Sequence, residues 1–282
     1  MNNNDRFSKS DWGLSSMIYL DEIKEKISQF SKTSLKEMEG VKLMDRVDVK
    51  YLIPLYLLPN VLEEAKVHYQ MLEINQEQLL PYETLYYDTD SLSLYHTHQA
   101  GKMSRYKIRS RNYVGSNLSF FEVKYKNNKG RTIKTRIKQD SDIEKQLNEQ
   151  NASFLSQETS LNATELKGNI WVNYHRMTLV SRTSAERLTI DLNLQFLDDT
   201  KTVGYPQIAI AEVKQEKIGA SPIINIFRKN QLSEGSISKY CLGIISIDGS
   251  VKHNRFKPKL IHLNKIINQY ESFIKTNSYS HV

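Results

Sequence analysis

Basic side chains recur at every second position of three short segments, a spacing that could bind a polyanion. The first segment holds Lys107, Arg109 and Arg111, the second holds Lys124 and Lys126, and the third holds Lys134, Arg136 and Lys138. Because successive side chains of a strand point to opposite faces, each segment would present its cations on one face. A face so rich in positive charge requires either bulk water or a polyanion against it.

Three carboxylates occur in the same alternating phase as these cations, at Glu122, Asp191 and Glu212. Each has a cation nearby on its own predicted strand, and these cations are Lys124, Arg187 and Lys214. Arginine and lysine neutralise phosphate oxygens, whereas carboxylates hold a hard divalent cation. The combination is typical of a metal–phosphate site. A sheet whose charged face simply meets solvent is the alternative.

The overall charge favours an anionic partner. The 282 residues include 39 lysines and arginines against 32 aspartates and glutamates, which gives a net charge of +7. Nucleic acid, nucleotides, polyphosphate and an acidic membrane face are all compatible with this charge. The single cysteine, Cys241, excludes an intramolecular disulfide and a Cys-rich zinc site. The absence of a signal-peptide pattern and of an apolar run of about 20 residues predicts a cytoplasmic protein.

The elements that must position these side chains are short strands with a few helices. Strands are predicted at 44–53, 84–88, 91–96, 103–111, 119–126, 131–138, 171–177, 186–195 and 206–214. The segment 127–130 contains Asn and Gly, which tolerate positive φ, and is predicted as a hairpin turn. The spacing of His96 and His98 would place both rings on one strand face, but no third ligand accompanies them, so a zinc site is not predicted.

Amphipathic helices are predicted at 59–72 and 260–274, and residues 139–165 and 238–247 are ambiguous. A further helix is predicted within 1–40 from an apolar stripe formed by Tyr19, Leu20, Ile23, Ile27 and Phe30. Together the elements predict one α+β domain with an antiparallel sheet or barrel. A barrel can have a polar interior when helices cover its apolar exterior.

Eight short motifs resemble, in the same order, the polyphosphate-polymerase domains of the vacuolar transporter chaperone (VTC) family. They are DVKY (48–51), YYDT (86–89), KIRSRNY (107–113), FEVK (121–124), YHR (174–176), ERLTID (186–191), AEVK (211–214) and SKY (238–240). That family belongs to the triphosphate tunnel metalloenzymes of the CYTH-like superfamily. The resemblance therefore implies an antiparallel β-barrel with a charged interior, flanked by helices. It divides the chain into an N-terminal helical extension, 1–40, and a tunnel domain, 41–282.

The resemblance also implies roles for individual residues. The catalytic set that would hold ATP or polyphosphate is Arg109, Arg111, Lys124 and Arg176. The further substrate-binding set is Lys50, Lys107, Lys134, Arg136, Tyr174, Arg187 and Lys239. Glu212 matches the carboxylate that binds Mn²⁺ or Mg²⁺. The implied activity is transfer of the γ-phosphate of ATP to a growing polyphosphate chain, by positioning and charge neutralisation.

Two other functions remain open at the level of sequence. One is a metal-dependent triphosphatase acting on tripolyphosphate, a nucleoside triphosphate or an RNA 5′ end. Tunnel hydrolases open with two glutamates and a lysine, however, where this chain has Arg46, Asp48 and Lys50. The other is a non-catalytic polyanion-binding module, because aromatic residues lie among the cations at Tyr106, Tyr113, Phe120 and Tyr125. ATP and polyphosphate are the expected partners, nucleic acid is not expected, and a membrane-bound partner is left open.

Overall fold

The computed structural model describes residues 13–39, 47–216, 219–235 and 237–278. All eleven strands in these ranges belong to one sheet. The strands are β1 (Lys32–Thr33), β2 (Val47–Pro54), β3 (Tyr69–Leu72), β4 (Leu80–Asp88), β5 (Arg105–Tyr113), β6 (Leu118–Lys126), β7 (Thr132–Gln139), β8 (Lys167–Ser181), β9 (Glu186–Leu197), β10 (Thr202–Tyr205) and β11 (Ile208–Gln215). All pairs are antiparallel except β1 with β3. The predicted strands at 44–53 and 103–138 therefore exist, apart from Arg46 and its neighbours, which lie outside the described residues.

Eight α-helices accompany the sheet in the described ranges. They are α1 (Gly13–Ser28), α2 (Leu35–Glu39), α3 (Leu58–Ala65), α4 (Ser93–Gln99), α5 (Glu149–Glu158), α6 (Pro222–Lys229), α7 (Lys239–Ile247) and α8 (Lys257–Ser278). The two regions that were ambiguous from sequence thus contain α5 and α7. No helix in these ranges is long and apolar enough to cross a membrane.

The main path of the sheet runs β2-β11-β9-β8-β4-β5-β6-β7. A flat sheet would separate β6 from β11 by about 24 Å, at about 4.8 Å per strand. Lys124 of β6 nevertheless lies close enough to Glu212 of β11 and Lys50 of β2 for both charges to shift the pKa of Lys124. The sheet is therefore strongly curved. The predicted antiparallel, barrel-like architecture with flanking helices is confirmed, although hydrogen bonds among the described strands do not join β2 to β7.

The two faces of the sheet differ in what covers them. The convex face packs against α1, α3 and α6 through an apolar cluster that includes Ile53, Leu179 and Ile190. It also packs against α5, near Ile108 and Phe121. This outer cover is what allows the opposite, concave face to carry charge, because the apolar side of each strand is already buried.

One end of the concave face is apolar and is covered by α7 and α8. Leu242 and Ile244 of α7 pack with Ile170 and Phe196 of the sheet. The helix lies very close to the strands at Gly243, where an added Cβ would be 2.7 Å from the side chains of both Ile170 and Phe196. A glycine is thus required for α7 to approach the sheet at this depth. The close approach fixes the position of the residues at the start of α7.

The hairpin between β6 and β7 follows the sequence prediction. The side-chain oxygen of Asn127 accepts hydrogen bonds from the amides of Lys129 and Arg131, at 3.0 and 2.9 Å. Gly130 has a φ of 80°, a conformation that glycine adopts without strain. This turn holds β6 and β7 in the register that brings their cations to the same face.

Two predictions of secondary structure are wrong because tertiary contacts outweigh the local pattern. The helix predicted at 59–72 ends at Ala65, and Tyr69 instead starts β3, where it pairs with Ser181 and its hydroxyl bonds to Glu186. The strand predicted at 91–96 is replaced by α4. Asp88 accepts hydrogen bonds from the amides of Leu94 and Tyr95, both at 2.9 Å, and so caps this helix.

The histidines of α4 consequently do not share a strand face. His98 Nδ1 lies 3.3 Å from Cys241 Sγ. In the described ranges no three His, Cys, Asp or Glu side chains are grouped so that they could hold a metal ion. Cys241 is buried. The helix predicted near the N-terminus exists as α1, and its Ile23 and Ile27 are buried in the convex-face cluster.

Candidate functional site

Basic side chains from seven of the described strands meet on the concave face. Directly paired residues lie on the same face of a sheet, so Lys107 of β5 adjoins Lys124 of β6, which adjoins Lys134 of β7. The charged strand residues that the register places on this face include Asp48, Lys50, Arg105, Lys107, Arg109, Arg111, Glu122, Lys124, Lys126, Lys134, Arg136, Lys138, Arg176, Arg187, Asp191, Glu212 and Lys214. Cations greatly outnumber carboxylates in this set.

The carboxylate of Glu122 is held between two cations. Arg109 donates from Nε and Nη2 to Glu122 Oε2, at 2.7 and 2.6 Å, and Lys134 forms an ion pair with Oε1. The Glu122 side chain is only 1% exposed. Burial opposes its ionisation, but Arg109, Arg111 and Lys134 outweigh burial and hold the pKa of the Glu122 carboxyl well below its usual range. Glu122 is therefore a permanent anion that orients the Arg109 guanidinium.

Asp191 is held in the same way by Arg176 and Lys239. Arg176 donates from Nε to Asp191 Oδ1 at 2.5 Å and from Nη2 to Oδ2 at 2.8 Å. Lys239, the first residue of α7, donates to Oδ2 at 2.5 Å. Burial raises the pKa of the Asp191 carboxyl, but Arg176 and Lys239 lower it by a larger amount. The pKa of this carboxyl therefore lies below its usual range. The start of α7 is thereby joined to the middle of the concave face.

Glu212 is the third carboxylate of this kind. Its Oε1 accepts a hydrogen bond from Lys50 and its Oε2 accepts one from Lys214. Burial opposes ionisation of Glu212, yet Lys214 and Lys50 hold the pKa of its carboxyl well below the usual range. Burial in turn lowers the pKa of Lys214 to about 8, even though Glu212 favours the charged form. Each of the three carboxylates therefore lies between two cations.

Most of these ion pairs differ from the partners that sequence proximity suggested. Lys214 does bind Glu212, as expected from its position two residues away. Glu122 and Asp191, however, pair with residues of neighbouring strands and of α7, rather than with Lys124 and Arg187 of their own strands. Cross-strand neighbours are closer than residues two apart along a strand, about 5 Å against about 7 Å.

Lys107 and Lys124 form a directly opposed pair of like charges. Lys107 Nζ donates to Ser238 Oγ at 2.9 Å, and burial lowers the pKa of Lys107. Burial and the nearby charges of Lys107 and Arg109 lower the pKa of Lys124 to about 8. Burial also lowers the pKa of Lys134 to about 8. An anion placed between these amines would relieve their mutual repulsion.

Tyrosine rings lie beneath the arginines of the site. The guanidinium of Arg176 lies 5.0 Å from the ring centroid of Tyr82 and 5.3 Å from that of Tyr174, and Arg109 donates to the Tyr86 hydroxyl at 3.0 Å. Burial opposes ionisation of Tyr86, but Arg109, Arg111 and Lys107 lower the pKa of its hydroxyl to about 8. These rings hold the cations by cation–π contacts and exclude water beneath them.

The remaining predicted residues also reach the concave face. Arg111 Nε donates to Thr84 Oγ1 at 3.3 Å, and Arg136 lies 4.3 Å from the ring centroid of Phe120. Arg187 lies at one end of the site, where its Nη2 donates to the carbonyl oxygen of Met38 at 3.5 Å. The structure thus brings together the residues selected from the sequence, which are Lys50, Lys107, Arg109, Arg111, Lys124, Lys134, Arg136, Tyr174, Arg176, Arg187, Glu212 and Lys239.

Several residues of the site were not selected from the sequence as site residues. Glu122 and Asp191 were noted only because they alternate in the same phase as the basic residues. Lys214 was noted only as a neighbour of Glu212. Tyr82 and Tyr86 were missed. A signal for the tyrosines exists, because positions 82 and 86 are four residues apart and therefore share one face of a strand, where they pair with Tyr113 and Arg109 of β5. By contrast, Tyr106 and Tyr125, considered for base stacking, stack on each other at 4.6 Å on the convex face.

Glu212 can contribute to a divalent cation site only as one ligand among several. Both of its oxygens already face lysines, and the described residues hold no group of three metal-binding side chains. Mg²⁺ and Mn²⁺ accept such an arrangement, with one or two carboxylates and the rest of the shell supplied by water and substrate phosphates. Asp48 lies on the same face, opposite Lys214, and Asp48 and Asp191 are the two carboxylates diagonally opposite Glu212 by register.

A family model agrees with the family suggested by the motifs. A family model described as "VTC domain" matches residues 45–247. No curated protein matches the chain significantly. Among solved structures, an adenylate cyclase candidate from Vibrio parahaemolyticus is 15% identical, with a TM-score of 0.42, over 70% of this chain and 97% of that one. PH1819 from Pyrococcus horikoshii is 13% identical, with a TM-score of 0.41, over 70% and 95%.

A third solved structure is HpAC1 from Hippeastrum, described as having a dominant triphosphatase activity. It is 12% identical to this chain, with a TM-score of 0.40, and the alignment covers 74% of this chain and 98% of HpAC1.

Proposed function

Because the chain belongs to the VTC domain family, we propose that it is an ATP-dependent polyphosphate polymerase whose active site is the concave face of the sheet. The observation that carries the proposal is the charge arrangement of this face. Three carboxylates fix the positions of six cations by ion pairs. Three further cations, Lys107, Lys124 and Arg136, form no ion pair with a carboxylate of the described residues and leave the face with an excess of positive charge. Such a surface favours a substrate with several phosphate groups.

In this proposal Arg109, Arg111, Lys124 and Arg176 hold the phosphates of ATP and of the chain end. An oxygen of the terminal chain phosphate attacks the γ-phosphorus, and the bond from phosphorus to the β-phosphate oxygen breaks, which releases ADP. The attacking phosphate is already ionised at neutral pH, so no general base is required. The catalytic contribution of the protein is positioning and neutralisation of the negative charge on the phosphate oxygens.

The orientation of the guanidinium groups is set before substrate binds. Glu122 fixes Arg109 through two donors, and Asp191 fixes Arg176 through two donors. Arg forks held in this way lose little conformational freedom when they bind phosphate. Lys50, Lys107, Lys134, Arg136, Arg187 and Lys239 would surround the rest of the chain, and Tyr174 lies under Arg176 and Lys239.

Mn²⁺ or Mg²⁺ would be held by Glu212 together with phosphate oxygens. When bound, such an ion neutralises charge on the phosphate oxygens and favours their in-line arrangement. Lys50 and Lys214, which pair with Glu212, would lie beside the same phosphates and neutralise part of their charge.

The test is incubation of the purified protein with ATP and Mn²⁺, followed by gel detection of polyphosphate and measurement of ADP. We expect polyphosphate and ADP to form together, and Arg109→Ala to abolish both. The double variant Lys265→Ser/Lys275→Ser, on the exposed side of α8, is the matched control and should retain activity. Circular dichroism checks that each variant is folded.

Other outcomes would contradict the proposal in distinct ways. Release of orthophosphate without chain growth would identify a triphosphatase. Binding of polyphosphate that falls steeply with salt and ignores metal, without any turnover of ATP, would identify a polyanion-binding module.

A further inference from the structure

A row of polar side chains crosses the convex face, on the side of the sheet opposite the candidate active site. The strand pairings align one polar residue from each of six neighbouring strands. In order across β7, β6, β5, β4, β8 and β9, these residues are Gln139, Ser119, Asn112, Glu83, Asn173 and Gln195. We call them the polar row. Leu85 and Trp171 on one side of it belong to one apolar cluster, and Leu192 on the other side belongs to another. The polar row therefore interrupts the apolar outer cover of the sheet.

Glu83 is the one charged residue of the polar row, and it is only 8% exposed. Its Oε2 accepts a hydrogen bond from Asn112 Nδ2 at 3.1 Å, and Asn112 Oδ1 accepts one from Ser119 Oγ at 3.3 Å. None of the ion pairs among the described residues involves Glu83. A nearly buried carboxylate without a counter-charge is unfavourable. The polar row thus holds a negative charge that a cation would stabilise.

Asn173 lies directly beside Glu83 and has no partner for its side chain. It is fully buried, and within the described structure neither its Nδ2 nor its Oδ1 forms a hydrogen bond. Buried amides are nearly always hydrogen-bonded, so this one is an exception. Glu83 is paired with Asn173 on one side and Gln195 on the other, with about 5 Å between the Cβ atoms of each pair. At this spacing the side-chain oxygens of the three residues can reach one common point.

We propose that Glu83, Asn173 and Gln195 bind a Ca²⁺ ion on the convex face. The three residues offer a carboxylate and two amide oxygens, which are ligands that Ca²⁺ accepts in irregular geometry, with water completing the shell. Mg²⁺ requires a nearly ideal octahedron and gives up water reluctantly, and Zn²⁺ prefers nitrogen and sulfur ligands. Asn112 holds the second oxygen of Glu83 and would position that carboxylate for the ion.

Such an ion would join three strands from outside. Glu83 belongs to β4, Asn173 to β8 and Gln195 to β9, and these strands are neighbours in the sheet. The same β8 and β9 carry Arg176 and Asp191 on the concave face. The ion would therefore stabilise the strands beneath the candidate active site without contact with its substrate. This inference does not depend on the proposed function, because no phosphate takes part in it.

The experiment measures Ca²⁺ binding to the full chain by isothermal titration, without ATP or polyphosphate. A site with one carboxylate should bind Ca²⁺ with a dissociation constant on the order of 10⁻⁴–10⁻³ M. We expect Glu83→Gln to weaken this binding by about tenfold or more. Glu158→Gln, which removes an exposed carboxylate at the end of α5, is the matched control and should bind as the original protein does. Glu212→Gln should also keep the Ca²⁺ response, because Glu212 lies on the concave face.

A second variant, Asn173→Asp, should gain affinity. It adds a carboxylate of the same size at the centre of the proposed ligand set, and we expect Ca²⁺ binding to become roughly tenfold tighter. Without Ca²⁺ this variant should melt at a lower temperature, because two carboxylates would then be directly opposed. Added Ca²⁺ should restore its melting temperature by binding the folded state. This gain keeps the inference testable if Glu83→Gln does not fold.

Trp171 provides a measure of where the ion lies. It is two residues from Asn173 on the same face of β8, at about 7 Å along the strand. Tb³⁺ binds oxygen ligands as Ca²⁺ does, and it emits light when an excited tryptophan is close to it. We expect this emission in the original protein, its displacement by Ca²⁺, and its loss in Trp171→Phe. The Ca²⁺ affinity of Trp171→Phe should be unchanged.

Four results would overturn the inference. The first is unchanged Ca²⁺ affinity in both Glu83→Gln and Asn173→Asp. The second is an equal weakening in Glu158→Gln, which would reduce the effect to net charge. The third is loss of the Ca²⁺ response in Glu212→Gln, which would place the ion on the concave face. The fourth is an equal rise in melting temperature with Mg²⁺ or Na⁺ at the same ionic strength. Because neither ATP nor polyphosphate is present, failure of polymerase activity leaves all of these measurements unaffected.

Discussion

Arg176 and Asp191 face each other on neighbouring strands and are joined by two hydrogen bonds, of 2.5 Å and 2.8 Å. The same carboxylate binds Lys239 of α7. Burial alone would lower the pKa of Arg176, but Asp191 and the nearby tyrosines keep it well above its ordinary value. The pair therefore does two things at once: it connects the start of α7 to the sheet, and it fixes an arginine at the place where the proposed function puts phosphate.

Asp191→Asn should destabilise the protein strongly. The Asp191 side chain is 3% exposed and its partners Arg176 and Lys239 are 16% and 17% exposed, so two nearly buried cations would lose their counter-charge. Removing one member of a buried ion pair typically costs about 3–5 kcal/mol. We expect a decrease of that order in the free energy of unfolding, measured with urea.

The matched control for this prediction is Asp140→Asn. Asp140 pairs with Lys138 at 2.9 Å, but its side chain is 76% exposed, and exposed pairs contribute little to stability. The unfolding curve of this variant should overlay that of the original protein. Similar losses of unfolding free energy in Asp191→Asn and Asp140→Asn would show that burial does not increase the contribution of the Asp191 ion pairs to stability.

The affinity for tripolyphosphate should fall as pH rises through about 8. The pKa values of Lys124, Lys134 and Lys214 are each lowered to about 8, chiefly by burial, so these amines lose charge well below the ordinary lysine value of 10.5. We expect roughly a tenfold loss of affinity between about pH 7 and about pH 9.5. Lys134→Arg should reduce that loss, because arginine stays charged over the whole range.

The stability of the free protein should change with pH in the opposite direction. The folded-state pKa values of these lysines lie below their unfolded values, so between about pH 8 and pH 10.5 the unfolded chain binds more protons than the folded one. The free energy of unfolding contributed by these groups therefore rises with pH over this window. Urea unfolding at several pH values across this window measures the free energy of unfolding. Comparison with the Lys134→Arg variant isolates the contribution of one of these lysines. A contribution that falls with pH would contradict the lowered pKa values of the lysines.

The strands of the site could be predicted from the sequence because their alternation is local. Lys107, Arg109 and Arg111 share a face whatever lies beside them, and the Asn127–Gly130 turn fixes the register of the next hairpin. The partners of Glu122 and Asp191 could not be predicted in this way. They depend on which strands become neighbours, as β8 and β9 do, and on where α7 begins.

The same distinction explains the two errors in secondary structure. The apolar spacing of 59–72 is compatible with a helix, but Tyr69 finds a partner in Glu186, a residue more than a hundred positions later. Likewise Asp88 caps α4 and also accepts a hydrogen bond from Tyr240 of α7. Local patterns do not reveal contacts between such distant segments, and these contacts decided both cases.

Glu212→Gln should weaken the response to divalent metal more than the binding of phosphate. The change removes the anionic ligand of the proposed metal site but keeps the size of the side chain, and it leaves Lys50 and Lys214 in place. We expect the Mn²⁺ concentration for half-maximal ATP turnover to rise by about tenfold or more. Glu64→Gln is the control, because Glu64 also pairs with a lysine, Lys229, but lies at α3 and α6 on the convex face. An unchanged metal response in Glu212→Gln would exclude Glu212 as a ligand.

Gly243→Val should displace α7 and thereby damage the site from a distance. A Cβ at Gly243 would lie 2.7 Å from Ile170 and Phe196, closer than carbon atoms approach without a shift of the helix or the sheet. Overpacking of this kind costs about 1–3 kcal/mol of unfolding free energy. Lys239 begins the same helix, so its contact with Asp191 should also be disturbed, and tripolyphosphate affinity should fall together with stability. Gly249→Val is the control, because a Cβ there meets no atom within 4 Å. Loss of stability in Gly243→Val with unchanged affinity would show that the position of α7 does not control the site.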